Sequence, residues 1–169
     1  REDLRKEPRR PLSSTLCVTS GFAGNGEANI MISVEILGPV IALVAWSLVM
    51  WIWMYATRIP AMLAANMKSD PNAPRGEQMA LLPPEVRWKA DNYNHLMEQP
   101  TIFYAIAISL SLLSVNSDAS VLLAWAYVGL RVAHSLLQAL VNKIEGRFAI
   151  FLLSNIPLFA LTYIAATEY

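Results

Sequence analysis

The sequence predicts an all-α integral membrane protein, a bundle of four transmembrane helices. Three observations carry that expectation. First, 55% of the 169 residues are hydrophobic and only 15% are charged, against roughly 25% charged in an ordinary soluble domain. Second, the apolar residues are gathered into runs rather than spread along amphipathic helices. No Asp, Glu, Lys or Arg occurs in the 22 residues between Glu35 and Arg58, the 19 between Glu98 and Asp118, or the 20 between Arg147 and Glu168. Third, each run approaches the roughly 20 residues that a helix needs to cross a bilayer core. A fourth run, Ala119 to Asn142, carries the single charge Arg131.

The spans are expected at about 36–57, 85–115, 119–142 and 147–167. Within the second, the apolar part starts near residue 96. Pro84 followed by Glu85 reads as a helix start, because proline fits the first helical position and an acid suits the positive helix end. Pro60, Pro71, Pro74, Pro83 and Pro84 make the intervening segment, about 59–84, a stiff linker. Pro157 is expected to kink the last helix. Residues 1–30 are polar, contain Cys17, and lack an apolar run long enough for a signal peptide. They are expected to be a disordered tail or a non-native segment preceding Met31. With one cysteine, no disulfide can form within a chain.

Charge fixes the expected orientation. Arg58, Lys68, Arg75, Arg87, Lys89, Lys143 and Arg147 follow the first span or link the third to the fourth, whereas Asn116-Ser117-Asp118 and Glu168-Tyr169 contain no base. Basic loops stay cytoplasmic, so both ends of the four-helix unit should face away from the cytoplasm. Thirteen bases balance thirteen acids, which leaves no net field to attract nucleic acid.

Function is sought among polar residues inside the spans, where they are costly unless partnered or lining a cavity. Tyr127, Arg131, His134, Gln138 and Asn142 lie within about an 80° arc of one helix. Arg87, Asp91, Asn94 and Glu98 form a second stripe at helical spacing. The simplest packing turns both stripes inward, with Arg87, Arg131, Arg147 and His134 meeting Asp91 and Glu98. That arrangement is either a set of structural ion pairs or a pocket for a small polar anion open laterally to lipid; the excess of cations favours the pocket. No nucleophile elbow, phosphate loop or paired catalytic acid is present. His95 and His134 read as hydrogen-bonding residues rather than metal or haem ligands. Ser111, Ser114, Ser135 and Ser154 are expected to bond their own helices or pack against a neighbour. Gly129 and Ala133 could sit at a helix contact.

The run Asn94-His95-Leu96-Met97-Glu98-Gln99-Pro100 resembles the second-helix motif of the family of membrane-associated proteins in eicosanoid and glutathione metabolism, MAPEG. So does Arg131-Val132-Ala133-His134-Ser135, with Arg147 sixteen residues after Arg131. The resemblance spans about 36–167. It looks like a bacterial member, and is most similar to the microsomal prostaglandin E synthase branch. It implies a four-helix protomer, a homotrimer in the bacterial inner membrane, and glutathione bound near the cytoplasmic face between protomers. By the same resemblance Asn94, Arg131 and His134 match positions that hold glutathione in the family, and Glu98 and Gln138 are candidate contacts beside them. Arg147 matches the arginine that stabilises its thiolate. Four positions depart from the pattern. The usual glutamate falls on Met97, one residue before Glu98. The basic residue four before the asparagine falls on Ala90, beside Lys89. The tyrosine after the third-helix histidine falls on Gln138, and Phe148 replaces a serine. Prostaglandin isomerisation is therefore not expected.

The resemblance implies a glutathione-dependent transferase or peroxidase-like enzyme acting on lipophilic electrophiles. The rival is a non-catalytic protein of the same fold that binds another anionic metabolite or a lipid headgroup. A four-span cation exporter is disfavoured, because the first span has no charge and Glu98 falls near the membrane surface.

Overall fold

The computed structural model describes residues 15–18, 30–68, 70–74, 76–115 and 117–168. Most of the expected tail, together with Ser69, Arg75, Asn116 and Tyr169, lies outside the described residues. The described chain is helical apart from two short strands, β1 (Thr15–Val18) and β2 (Ile30–Ser33). These pair antiparallel, with Thr15 opposite Ser33 and Val18 opposite Ile30.

Six helices follow: α1 (Leu37–Ala64), α2 (Glu77–Ala80), α3 (Pro84–Glu98), α4 (Pro100–Leu112), α5 (Asp118–Leu140) and α6 (Ile144–Thr167). Among the described residues, α1, α5 and α6 are long and apolar enough to cross a membrane. At 28 residues α1 is about 42 Å long, more than the roughly 30 Å hydrocarbon core requires. It continues through Pro60 to Ala64, beyond the span expected at 36–57. Proline forfeits one backbone bond there, and the apolar run Ile59 to Ala64 carries the helix on. The Thr57 hydroxyl, one turn earlier, donates to the Trp53 and Met54 carbonyls at 3.0 and 3.1 Å.

The segment expected as one helix over 85–115 is two. Gln99 separates α3 from α4, and Pro100 opens α4. Pro100 has no N–H to offer the Leu96 carbonyl, and its ring crowds that oxygen. The helical path is interrupted there, although Gln99 keeps helical torsions. This leaves α4 with 13 residues, too short to span alone by length. The start of α3 at Pro84 agrees with the sequence reading.

The remaining ends have clear local causes. The Ser117 hydroxyl caps α5 by accepting from the Ser120 N–H at 3.1 Å. Asn142 adopts φ 54° after α5, and its N–H returns to the Leu137 carbonyl at 2.7 Å. That left-handed cap turns the chain sharply into α6. α5 and α6 therefore pack as an antiparallel hairpin, and α1, α3 and α4 close the bundle around them.

The core runs through Ile36, Leu43, Met50, Leu96, Phe103, Leu110, Tyr127 and Leu161, all nearly inaccessible. Phe103 stacks on Tyr127 with centroids 4.5 Å apart. The outward faces of the three long helices are apolar, with Ile41, Leu48, Ile52, Leu122, Ile156 and Phe159 exposed. A soluble protein does not leave such a band in water. A lipid bilayer is its natural environment.

Candidate functional site

The polar stripe of α5 faces the bundle interior. Tyr127, Arg131, His134, Ser135 and Gln138 are all buried. Arg131 is 1% exposed, and its guanidinium lies over the rings of Tyr127 and Phe151, 5.9 Å from each centroid. Its Nη2 donates to the His95 carbonyl at 3.4 Å, while Nε and Nη1 have no protein partner. A buried guanidinium with two idle donors keeps hydrogen-bonding capacity that the protein does not fill.

The second stripe does not turn inward. Asp91, Asn94 and Glu98 are exposed, and the packing expected between the two stripes does not form. Instead α3 buries Lys89, Asn92 and Leu96, at spacings of three and four. The reason is local. Lys89 reaches the Glu85 carbonyl at 2.8 Å and the Ala139 carbonyl at 3.4 Å, and sits 5.3 Å over Trp53. Asn92 Nδ2 donates to Ser135 Oγ at 2.6 Å. These partners on α1 and α5 hold that face of α3 against the core. The exposed stripe lies about 160° away, on nearly the opposite face of the helix.

One residue of α3 bridges the two faces. His95 is half-buried, and its Nδ1 lies 3.5 Å from Glu98 Oε2. Its ring meets His134 at 4.9 Å between centroids and Phe151 at 5.6 Å. His95, His134, Ile144, Arg147, Phe148 and Phe151 line a cleft of about 410 Å³. It lies where α3, the end of α5 and the start of α6 converge. Ile144 and Phe148 are among the most exposed apolar residues, so one wall of the cleft opens laterally on the outer surface of the bundle.

Arg147 lies in the first turn of α6, and its N–H closes that turn on the Lys143 carbonyl at 3.0 Å. Its Nη1 donates to Asn142 Oδ1, so the residue that caps α5 also holds the arginine at the cleft. Arg147 Nε has no protein partner. Farther along α6, Asn155 accepts from Gln99 Nε2 beside the helix break.

The structure thus brings His134 and Arg147 to one cleft, with Arg131 buried behind it against Phe151 and the His95 carbonyl. Gln138 is buried farther along α5 with its Oε1 unpartnered. Asn94 and Glu98 lie on the exposed face of α3. Residue spacing missed Asn92 and Phe151. Phe151 could have been found, since it stands four residues after Arg147 on one helix face. Ser154 bonds its own helix at the Phe151 carbonyl, as expected. Gly129 and Ala133 are exposed on the outer face of α5, and a Cβ at Gly129 would meet nothing within 4 Å among the described residues.

The MAPEG family model matches residues 36–167. The chain belongs to the MAPEG family. This MAPEG protein is therefore a multi-pass membrane protein from a family concerned with glutathione and eicosanoid metabolism. No match was found among curated proteins or among solved structures.

Proposed function

We propose that this MAPEG protein is a membrane-bound, glutathione-dependent transferase or peroxidase-like enzyme for lipophilic electrophiles. The observation that carries the reading is the cationic end of the cleft. Arg147 lines it beside Ile144, Phe148 and Phe151, Arg131 is buried behind Phe151, and each arginine keeps its Nε without a protein partner. A volume of about 410 Å³ falls within the roughly 300–1,000 Å³ of small-molecule sites. An apolar reactant would enter from lipid through the open wall, and a polar thiol from the aqueous end.

Glutathione fits this lining at its anionic end. Arg131, with Lys89 or Arg87, would hold carboxylate, and Arg147 would face the sulfur. Bound glutathione supplies a nucleophilic sulfur. Arg147 raises the thiolate fraction, because a nearby cation lowers a thiol pKa from about 8.5. His134 and Gln138 offer further polar contacts from α5. Asn94 and Glu98 stand on the outer face of α3, where they would meet glutathione only at a junction with a second copy. This supports a homotrimer with sites shared between protomers. The outward pair Gly129 and Ala133 would let a neighbouring helix approach closely.

In this reading α3 and α4 together form a fourth span interrupted at Pro100. The loop bearing Lys68, the start of α3 with Arg87 and the turn at Lys143 face the cytoplasm of a bacterial inner membrane, and the ends of the bundle face away.

The exposure of Glu98, 72% at its side chain, favours the second reading, a non-catalytic protein for another anion, because no acid then holds the amine within one chain. Calorimetry with glutathione on the full chain in detergent separates the two. Saturable binding supports the enzyme, whereas silence at millimolar glutathione alongside binding of an acidic lipid supports the second reading.

A further inference from the structure

We infer that a groove at the end of α1 seats an acidic phospholipid. The groove measures about 440 Å³ and is lined by Ile59, Met62, Leu63, Asn66, Met67 and Lys68. It shares no residue with the cleft and does not depend on the thiol reading. Its depth follows from the length of α1. The helix is about 42 Å long, about 12 Å more than the hydrocarbon core. The charge-free run ends at Arg58, so the turn and a half after it lies at the level of the lipid headgroups. The groove walls are nevertheless apolar. Leu63 is 73% exposed, so nothing among the described residues covers that wall. Leu48, Ile52, Tyr55, Ile59 and Leu63 are all exposed and follow spacings of four, three, four and four. One apolar stripe therefore runs from the middle of the span into the groove. An acyl chain laid along it brings its phosphate to Lys68.

The charged end is built by the helix stop. Asn66 adopts φ 47°, and the Asn66 and Met67 N–H groups return to the Leu63 and Met62 carbonyls at 3.0 and 3.1 Å. This left-handed cap folds Met67 and Lys68 back beside the last turn. Gln78 then fixes the strand that follows. Its Nε2 donates to the Lys68 carbonyl at 2.9 Å, and its Oε1 accepts from the Asp70 N–H at 3.3 Å. The Lys68 backbone is held, while its ammonium has no acid partner. Among the described residues the one carboxylate within ion-pair distance of a base is Glu98, at His95. Asp70, the acid nearest Lys68 in sequence, accepts from the Asn72 N–H at 2.9 Å. Arg58, one turn before Met62, adds a second cation whose Nε has no protein partner. Two cations at the end of an apolar groove complement a phosphodiester with a net negative charge. A zwitterionic headgroup brings its own ammonium and gains less.

Native mass spectrometry of the full chain in mild detergent tests this, with dioleoyl phosphatidylglycerol and dioleoyl phosphatidylcholine added in equal amounts. The wild type should retain phosphatidylglycerol about fivefold over phosphatidylcholine, the scale of one lysine beside an anionic headgroup. Lys68→Gln should bring that ratio close to one. Lys143→Gln, at the same end of the bundle but outside the groove, should leave it unchanged. Leu63→Gln removes part of the wall and should lower phosphatidylglycerol retention severalfold, with the thermal midpoint unmoved because the side chain is largely exposed. No preference in the wild type, or an equal fall in both lysine variants, overturns the groove in favour of diffuse attraction. A preference that survives Lys68→Gln and disappears in Arg147→Ala places the lipid in the cleft, which also overturns it and supports the non-catalytic reading. Dissociation of an oligomer by Leu63→Gln shows that a second copy covers the groove, and overturns it as well. Glutathione binding should be the same in Lys68→Gln and the wild type, so the thiol reading stands or falls separately.

Discussion

Arg131 and Arg147 carry the same group into different surroundings, and that difference decides what each substitution should do. Arg131 is sealed between α3 and α5 and bonds a backbone carbonyl, so its loss disturbs packing as well as binding. Arg147 stands at the cleft mouth on one side-chain bond to Asn142. Arg147→Ala should therefore lower glutathione turnover about a hundredfold, the scale of one lost transition-state electrostatic contact. Its binding constant should change less than about threefold, and steady-state kinetics beside calorimetry checks the split. Asn92 is a purely structural counterpart. Asn92→Ala removes the buried bond to Ser135 and should cost about 1 kcal/mol, read as a lowered thermal midpoint in detergent with kcat unchanged. The α5 stripe was legible because one apolar helix carried so few polar residues that their common face had to be the inner one. The α3 stripe was not. Lys89 with Asn92, and Asp91 with Asn94, are equally regular patterns, and only the partners on α1 and α5 choose between them.

Helices were legible as far as charge-free length reveals them. The start at Pro84 and the spans of α5 and α6 lie within a few residues of expectation. Proline was the ambiguous letter. Pro60 is absorbed in α1 because one lost bond is small against a continuing apolar run, whereas Pro100 divides α3 from α4. The division lies close to the site, beside the Gln99–Asn155 bond and within two turns of His95. Pro100→Ala restores the missing N–H and should join α3 to α4. Amide exchange across 97–104 should then slow and glutathione affinity fall severalfold. Unchanged exchange would mean that the break is set by packing on α6 rather than by proline. The turn between α5 and α6 also lies against the site, through the Asn142 bond to Arg147. Asn142→Ala removes both a residue tolerant of φ 54° and the acceptor for Arg147. It should therefore lower stability and turnover together, measurable as a reduced thermal midpoint and reduced kcat.

At the scale of the whole molecule, the fold is an apolar shell around a polar seam. The shell was visible in composition, and the family in the residues that line the seam, Arg131, His134 and Arg147. The seam's completion was not legible, because Asn94 and Glu98 face outward and a single chain does not say what covers them. Three copies of the 18.7 kDa chain per particle are expected by native mass spectrometry from mild detergent. A monomer would leave Asn94 and Glu98 without a part in the site. The central claim is that this cleft binds and ionises a thiol, and calorimetric titration of the full chain with glutathione, with thiolate absorbance recorded alongside, tests it most directly. The account predicts saturable binding with a thiolate signal at neutral pH that disappears in Arg147→Ala. Binding without a thiolate signal, or no binding at millimolar glutathione, would contradict it.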